Sequence, residues 1–447
     1  MNIHQLRSLQ NKSLKRMIEL CYKAHPYYQK YMKDNDLTPT DFKSVNDLGR
    51  LPLISKTEYA LDPESFRLNL ELLPDLSLEE KTLSDILYTT GSTSNPTPFY
   101  DTAHDKLARF QHLLKSAQIA GIVPSDTVMN LFPLSAVTHQ GPINASWATM
   151  TIGAKLLWGM TGRNYSNFPV HRRMTDAIDM IEDSKATVLW GITSYVRSIL
   201  YEAERMGKNF SSVRLVLVMG EPCPSGTRKD MQERLKTLGS INPYINNGYG
   251  FTEMQAMAME CSDQDWRHQS TPEQYFFEIL DPETRRKVPD GENGMLAISH
   301  LNRRGTVLLR YLVGDIVSLN HKICPECGRW EPRFVGTPYR ADGVTKIKGI
   351  LINPSILHEK MSLLFKRGLS EYQFVVGKRE GESEPSIDSL ILKIACAARD
   401  AKRLTREASE LVVRTAEITP IIECKNIDYF SDISNNYKFS RFLDTRQ

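Results

Sequence analysis

Residues 213–250 read VRLVLVMGEPCPSGTRKDMQERLKTLGSINPYINNGYG, and their texture changes twice. VRLVLVM, closing on Gly220, is a near-continuous apolar run of the kind that forms a strand buried on both faces. Residues 226–238 have helical character, and PYINNGYG returns to strand. Strand, helix, strand is a βαβ unit, which implies a largely parallel sheet. Ligands of such sheets gather at the carboxyl ends of the strands. Met219-Gly220-Glu221 and Asn247-Gly248-Tyr249-Gly250 both fall at such ends.

The alternation extends upstream. Residues 127–132, 154–158 and 187–190 are expected strands, and 105–119 and 193–206 expected helices. Residues 3–33 carry Leu6, Leu9, Leu14, Met17, Ile18 and Cys21 at helical spacing, with the aromatics of AHPYYQKYM docking that stretch onto a larger body. Another short helix begins at Lys56. From Tyr275 the texture shifts to shorter strands (YFFEILD, GMLAISH, VLLRYLVGDIVSL) separated by turns such as PDGENG, as in a small antiparallel or barrel-like unit. Beyond Gly349 the order is β-α-β-β-α-β, a small α+β lid domain of about a hundred residues. The expectation is an α/β protein: a large N-terminal domain, 1–341, of βαβ-type subdomains with mixed sheets and a small β-barrel-like unit, then a lid, 342–447.

The chain has 447 residues, enough for two or three domains. Lys plus Arg number 56 and Asp plus Glu 53, a net charge of +3 that gives no reason to expect nucleic acid as a partner. No apolar run is long enough to span a bilayer, and MNIHQLRSLQNKSLKRMIEL lacks the apolar centre of a secretory signal, so a cytoplasmic enzyme is expected. Seven cysteines do not form a disulfide framework. Cys21, Cys223, Cys396 and Cys424 are scattered and read as buried free thiols; Cys324 and Cys327 form a C-x-x-C pair in ICPECGRW.

Five stretches carry potential chemistry. YTTGSTSNPT, 88–97, crowds hydroxyls around Gly91 and could wrap phosphate oxygens; it lacks Walker A spacing and also fits a solvated loop. NGYGFTEM, 247–254, sets Tyr249, Thr252 and Glu253 past a strand. An aromatic ring there can stack on a base and a carboxylate can hold Mg²⁺; an ordinary strand-to-helix turn fits equally. Asp315 of YLVGDIV is placed to accept from ribose hydroxyls, or simply to form a turn. Arg340 and Asp342 stand in YRADGVTKIKG where body gives way to lid, and Lys438 lies in NNYKFSRFLD near the end.

In this order the pieces resemble the adenylate-forming superfamily of acyl-CoA synthetases, most closely its phenylacetate–CoA ligase-like branch, over almost the whole chain. YTTGSTSNPT is similar to the phosphate loop, MGEPCP to the adenine-side turn, NNGYGFTE to the Tyr-Gly-x-[ST]-Glu motif, YLVGDIV to the ribose motif, YRADGVTKIKG to the hinge and YKFSRFLD to the catalytic-lysine motif. The resemblance implies that Thr89, Thr90, Gly91, Ser92 and Thr93 bind ATP phosphates. It has Glu221 and Tyr249 frame the adenine, with Gly220, Pro222, Asn247 and Gly250 also in the nucleotide-binding set, and gives the ribose to Asp315 and Arg340. Glu253 would hold Mg²⁺, with Thr252 beside it in the catalytic set; Asp342 would be the lid's pivot, and Lys438 the cation serving adenylation. The implied reaction joins a carboxylic acid to ATP, releases pyrophosphate, and passes the acyl group on. Ser94-Asn95 replace the usual Gly-Lys of the loop, Gly343 a second hinge Asp, and Lys348 an Arg common in this branch.

Cys324 and Cys327 have zinc-knuckle spacing, and Cys261 and His268, after the NGYGFTE motif, would complete a tetrahedral structural zinc set resembling that of some members of the branch; reduced, unliganded thiols are the other reading. The resemblance puts the acyl pocket at His139, Gly141, Trp190, Gly191, Ile192 and Met219, walls that suit an aromatic or hydrophobic acid. Coenzyme A is the expected acceptor. An amine, an amino acid or a carrier-protein thiol are alternatives, as are a catalytically silent nucleotide or acyl sensor and a zinc-ribbon interaction protein. Lys402, Arg403 and Arg406 could meet the CoA nucleotide or form a solvated helix face. A homodimer is compatible with all of this.

Overall fold

The computed structural model describes residues 2–89, 96–133, 138–160, 172–262, 265–340, 343, 345–347, 350–377, 388–434 and 439–446. Two compact units result, one of Met1–Asn130, Ser135–Leu157 and Asn246–Pro338, the other of Leu131–Leu134, Trp158–Ile245 and Tyr339–Gln447.

In the first unit, helix Ile3–Ala24 starts with a capping box between Asn2 and Gln5. The helical run expected over 3–33 is in fact two helices, because His25 is extended (φ −101°, ψ 111°) and Pro26 opens helix Pro26–Asp34. Proline at a first helical position loses no hydrogen bond, and it pushes the preceding residue out of helical geometry. The aromatics dock as expected: Tyr28 is fully buried and its hydroxyl donates to the Leu309 carbonyl at 2.8 Å, while Tyr27 stacks on Phe66.

These helices pack on a six-stranded sheet, in the order Tyr275–Leu280, Asn293–His300, Tyr311–Asn320, Arg333–Arg340, Trp266–Gln269, Ala258–Glu260. Neighbours among the first three strands run antiparallel, as do neighbours among the last three. The expected small antiparallel unit takes this form. A separate hairpin, Leu83–Tyr88 with Pro98–Thr102, brackets the serine- and threonine-rich loop.

In the second unit, Val188–Ile192 and Leu215–Met219 pair in parallel, from Val188 opposite Leu215 to Ile192 opposite Met219, with every residue buried. The apolar run at 213 therefore forms the buried parallel strand its composition implies. Helix Ser225–Thr237 follows. A Cβ on its Gly226 would lie 2.4 Å from the Ser362 backbone, so glycine permits backbone-to-backbone approach there. The C-terminal sheet has Leu369–Gly377 and Ser389–Cys396 antiparallel at its centre, flanked in parallel by Phe442–Asp444 and Ile421–Cys424. Helix Ala401–Ala416 buries Leu404, Ala408, Val412 and Ala416, one stripe at a spacing of four, in this sheet's core.

The scattered cysteines divide. Cys21 and Cys223 are buried, Cys396 is half-buried, and Cys424, closing an edge strand, is exposed, so the expectation of buried thiols fails at that end of the chain. Among the described residues no helix is long and apolar enough to cross a membrane.

Burial holds four histidines neutral. It lowers His25 to about 4, and His112, His300 and His358 to about 3, from an ordinary 6.5. Because the unfolded chain then binds more protons, the stabilisation is complete above 6.5 and declines as pH falls from there toward 4 and 3. Urea midpoints are expected to drop steadily between pH 7 and pH 5. Equal midpoints at both would contradict this assignment.

Candidate active site

The loop stem is built first. Thr89 N–H donates to the Thr97 carbonyl (3.1 Å) and Thr97 N–H to Thr89 Oγ1 (3.0 Å), closing the base of the loop. Tyr88 N–H donates to the Thr138 carbonyl at 2.9 Å, and Tyr88 bridges His139. His139 caps helix Gln140–Thr151, its Nδ1 accepting from Gly141 N–H at 3.2 Å. Thr89, His139 and Gly141 are thus brought together. Thr90, Gly91, Ser92, Thr93, Asp342 and Lys438 lie outside the described residues.

The turn after Asn247 gathers the next group. Tyr249 exchanges both backbone hydrogen bonds with Ala258 (2.9 and 2.8 Å), and its hydroxyl donates to Asp315 Oδ2 at 2.7 Å. Phe334 stands edge-on to the Tyr249 ring at 5.2 Å. Gly250 has no room for a side chain, since a Cβ would lie 2.7 Å from the Ala256 carbonyl. Glu253 is buried; its Oε1 accepts from the Tyr311 hydroxyl at 2.7 Å and its backbone carbonyl from His300 Nε2 at 2.8 Å. Thr252 beside it is half-buried. Tyr59 stands edge-on to Tyr311 with centroids 6.1 Å apart and donates to the Pro98 carbonyl (2.6 Å), linking Glu253's support to the far stem of the loop.

Tyr311, His300 and Tyr59 were not singled out from sequence. Tyr311 opens the same YLVGDIV stretch that carries Asp315, but nothing in an apolar strand pattern separates a tyrosine whose hydroxyl holds a carboxylate from one that only fills the core.

The second unit carries another group. Gly220 turns with φ +85° at the end of its strand. Glu221 then places Oε2 at the N-terminus of helix Thr193–Arg205, accepting from Ser194 N–H at 3.0 Å, where the helix dipole favours a carboxylate. Its Oε1 accepts from Phe439 N–H at 2.8 Å. Both oxygens of the expected adenine-side glutamate are therefore in use. Trp190 is fully buried, and a Cβ on Gly191 would meet Val196 and Leu131 at 3.0 and 3.1 Å. Met219 and Pro222 flank the Gly220 turn. Arg340 is exposed at its strand's end. Lys402 and Arg406 are exposed, and Arg403 pairs with Asp400 (2.7 Å) and Glu407 (3.5 Å).

The four candidate metal ligands converge in the first unit. The ligand atoms of Cys261, His268, Cys324 and Cys327 all lie within 4.8 Å of one another. Cys261 Sγ is 3.8 Å from Cys324 Sγ, and Cys327 Sγ 3.5 Å from His268 Nε2. Two sulfurs ~2.3 Å from one tetrahedral ion sit about 3.8 Å apart, and a sulfur and an imidazole nitrogen about 3.6 Å. The spacing fits. The knuckle itself is closed by Cys324 N–H to the Arg329 carbonyl (2.8 Å) and turned by Gly328 at φ +69°.

The chain is similar to known proteins. The phenylacetate-coenzyme A ligase of Thermus thermophilus is 25% identical over 395 residues, 87% of this chain and 81% of that protein. The Escherichia coli phenylacetate-coenzyme A ligase is 23% identical over 403 residues, 88% of this chain and 83% of that protein. Among solved structures, 2-hydroxyisobutyryl-CoA ligase in complex with R3-HIB-AMP shares the fold, with a TM-score of 0.81 at 20% identity, covering 100% of this chain and 91% of that one. The AMP-binding enzyme family pattern matches residues 27–305, a span holding the loop stem, the Glu221 turn and the Tyr249 turn, and the chain belongs to that family.

Proposed function

We propose that this protein joins an aromatic or hydrophobic carboxylic acid to ATP, giving an acyl adenylate and pyrophosphate, and then passes the acyl group to the thiol of coenzyme A. One observation carries the reading: a single turn holds Tyr249 against Asp315 and, four residues on, Glu253 against Tyr311. A stacking ring, a diol-binding carboxylate and a cation-binding carboxylate on one rigid piece suit a nucleoside triphosphate. The acid's carboxylate oxygen attacks the α-phosphorus, and the bond to the pyrophosphate oxygen breaks. Such a reaction between anions is served mainly by positioning and by donors to the developing charge. The hydroxyls of 89–93 and the Lys438 ammonium fill that role, Lys438 coming from a lid, 342–447, that pivots at Asp342 against 1–341. Glu253 would hold Mg²⁺, which when bound would supply neutralisation of phosphate charge. Zinc is the metal that suits Cys261, His268, Cys324 and Cys327. His139, Gly141, Trp190, Gly191 and Met219 form the acid's pocket. Coenzyme A as acceptor draws support from the names of the relatives, which match this chain over four fifths of their length. A cytoplasmic setting supplies both ATP and coenzyme A.

The test is a pyrophosphate-release screen over aryl and acyl acids, repeated with coenzyme A, simple amines and a carrier-protein thiol. Acid-dependent release is expected, with thioester formed in the coenzyme A arm. Asp315→Ala should raise the KM for ATP about tenfold or more, the cost of a lost charged hydrogen bond. Nucleotide binding without pyrophosphate release from any acid would instead indicate a sensor, and product only in the amine arm an amide-forming ligase.

A further inference from the structure

The turn that carries Tyr249 is not held by its own hydrogen bonds alone. Just before it, Asn247 has both backbone polar groups gripped by one buried ion pair. Asn247 N–H donates to Glu260 Oε2 at 2.8 Å, and Arg267 Nε donates to the Asn247 carbonyl at 2.8 Å. Glu260 and Arg267 stand directly opposite each other in the antiparallel pair Ala258–Glu260 and Trp266–Gln269, with Nη2 and Oε1 3.4 Å apart. Their side chains are 0% and 1% exposed. Asn246 adds a second tie, its Nδ2 donating to the Glu260 carbonyl at 2.7 Å. Arg267 is braced in turn: Nη1 donates to the Gly336 carbonyl at 2.7 Å, and Nη2 pairs with Asp265.

A buried charge pair is an expensive way to hold a strand end, since ordinary ladder bonds involve no desolvated ions. Its placement decides what it does. With Asn247 gripped on one side of Gly248 and Tyr249 strapped to Ala258 on the other, the peptide leading to the Tyr249 ring has no freedom left. Guanidinium geometry suits this task, because a planar fork reaches two carbonyls and two carboxylates in fixed directions.

We propose that Glu260 and Arg267 are positioning residues for nucleotide binding, acting through the Asn247 backbone to fix the Tyr249 turn. This rests on the nucleotide reading above. The adenine lies away from the reacting α-phosphorus, so loosening its turn removes binding shared by ground and transition states. The Km for ATP then moves while kcat does not.

The test uses the full-length protein, with AMP as a calorimetric probe and steady-state kinetics alongside. Removing either partner outright strands the other charge and could unfold the sheet, so conservative variants carry the experiment. Arg267→Lys keeps the charge beside Glu260 and Asp265 but loses the fork. It is expected to raise the AMP Kd and ATP KM about tenfold, with kcat and the acid's KM within about twofold. Glu260→Gln, whose amide oxygen can still accept from Asn247 N–H, should shift them only about threefold. Unchanged AMP affinity in both variants overturns the proposal. So does a parallel loss in the acid's KM, kcat and melting temperature, the mark of a purely structural role. Asp315→Ala separates the two levels. If it too leaves AMP binding unchanged, the nucleotide reading fails; if it alone weakens binding, only the positioning role fails.

Discussion

Glu253→Gln is expected to lower acid-dependent pyrophosphate release about 10²- to 10³-fold, the range seen when one preorganised electrostatic contact to a transition state is removed. The geometry explains why so small a change should matter. Tyr311 already donates to Oε1, and Oε2 takes no hydrogen bond from any described residue. The carboxylate is buried, and among the described residues only its Oε1 is held by a hydrogen bond, which suits a group whose other oxygen meets a cation. Glutamine keeps the volume and can still accept from Tyr311, so the melting temperature should change little; what disappears is the negative charge. Tyr311→Phe should act through Glu253, freeing the carboxylate to swing and lowering the rate about tenfold or more, the worth of one hydrogen bond to a charged group. The two variants combined should lose little more than Glu253→Gln by itself, because residues in one network are not additive. Pyrophosphate release from Glu253→Gln within threefold of the parent would remove Glu253 from its assigned role.

Much of the architecture is visible in local patterns, for physical reasons. The buried parallel strand Leu215–Met219 could be read because a strand covered on both faces must be apolar throughout. Helix Ala401–Ala416 could be read because its buried residues repeat every turn. The break at His25 is hidden in the pattern although Pro26 marks it, since the apolar spacing runs on through the proline. Long-range groupings were not legible. Periodicity says which face is buried and nothing about what covers it, so the shared unit of Trp158–Ile245 with Tyr339–Gln447 has no local signature. The same holds for the site. Tyr249, Glu253 and Asp315 belong to recognisable short motifs, whereas Glu260 and Arg267 lie in a stretch without one. A charged residue in a short strand reads as a solvated one until its partner across the ladder is known. Their neighbours Cys261 and His268 stand out only through the resemblance, which sets them beside Cys324 and Cys327, the pair with knuckle spacing.

Removal of the metal should be the most disruptive change short of truncation. Purified protein is expected to contain about one zinc per chain, and chelation or Cys324→Ser to lower the melting temperature by on the order of 10 °C, since ligand–metal free energy is also folding free energy. Without a cation, the cluster disfavours a thiolate at Cys261. Burial, and then the neighbouring Cys327 and Cys324 sulfurs, push the Cys261 thiol up to about 12. Burial also works against a thiolate at Cys327, but hydrogen bonds from Arg329, and then from Cys261 and Cys324, hold its pKa below the usual thiol value. Burial, with Arg329 and Arg333 close by, holds His268 down at about 4, so at neutral pH its imidazole is uncharged and able to ligate. A dication reverses the penalty on the thiolates, and binding it must release protons. Zinc should therefore become easier to extract as pH falls. A disulfide is the competing outcome, given 3.8 Å between Cys261 and Cys324 Sγ. Stability that responds to reductant and not to chelator would establish it and sink the zinc assignment. The loss should also reach the nucleotide turn, because Cys261 directly follows Glu260 and His268 directly follows Arg267. A hairpin released at its ligands cannot keep the pair that grips Asn247 in register, so chelated protein should bind AMP more weakly before it unfolds. If AMP affinity survives chelation unchanged, the metal stabilises the sheet without tuning the site.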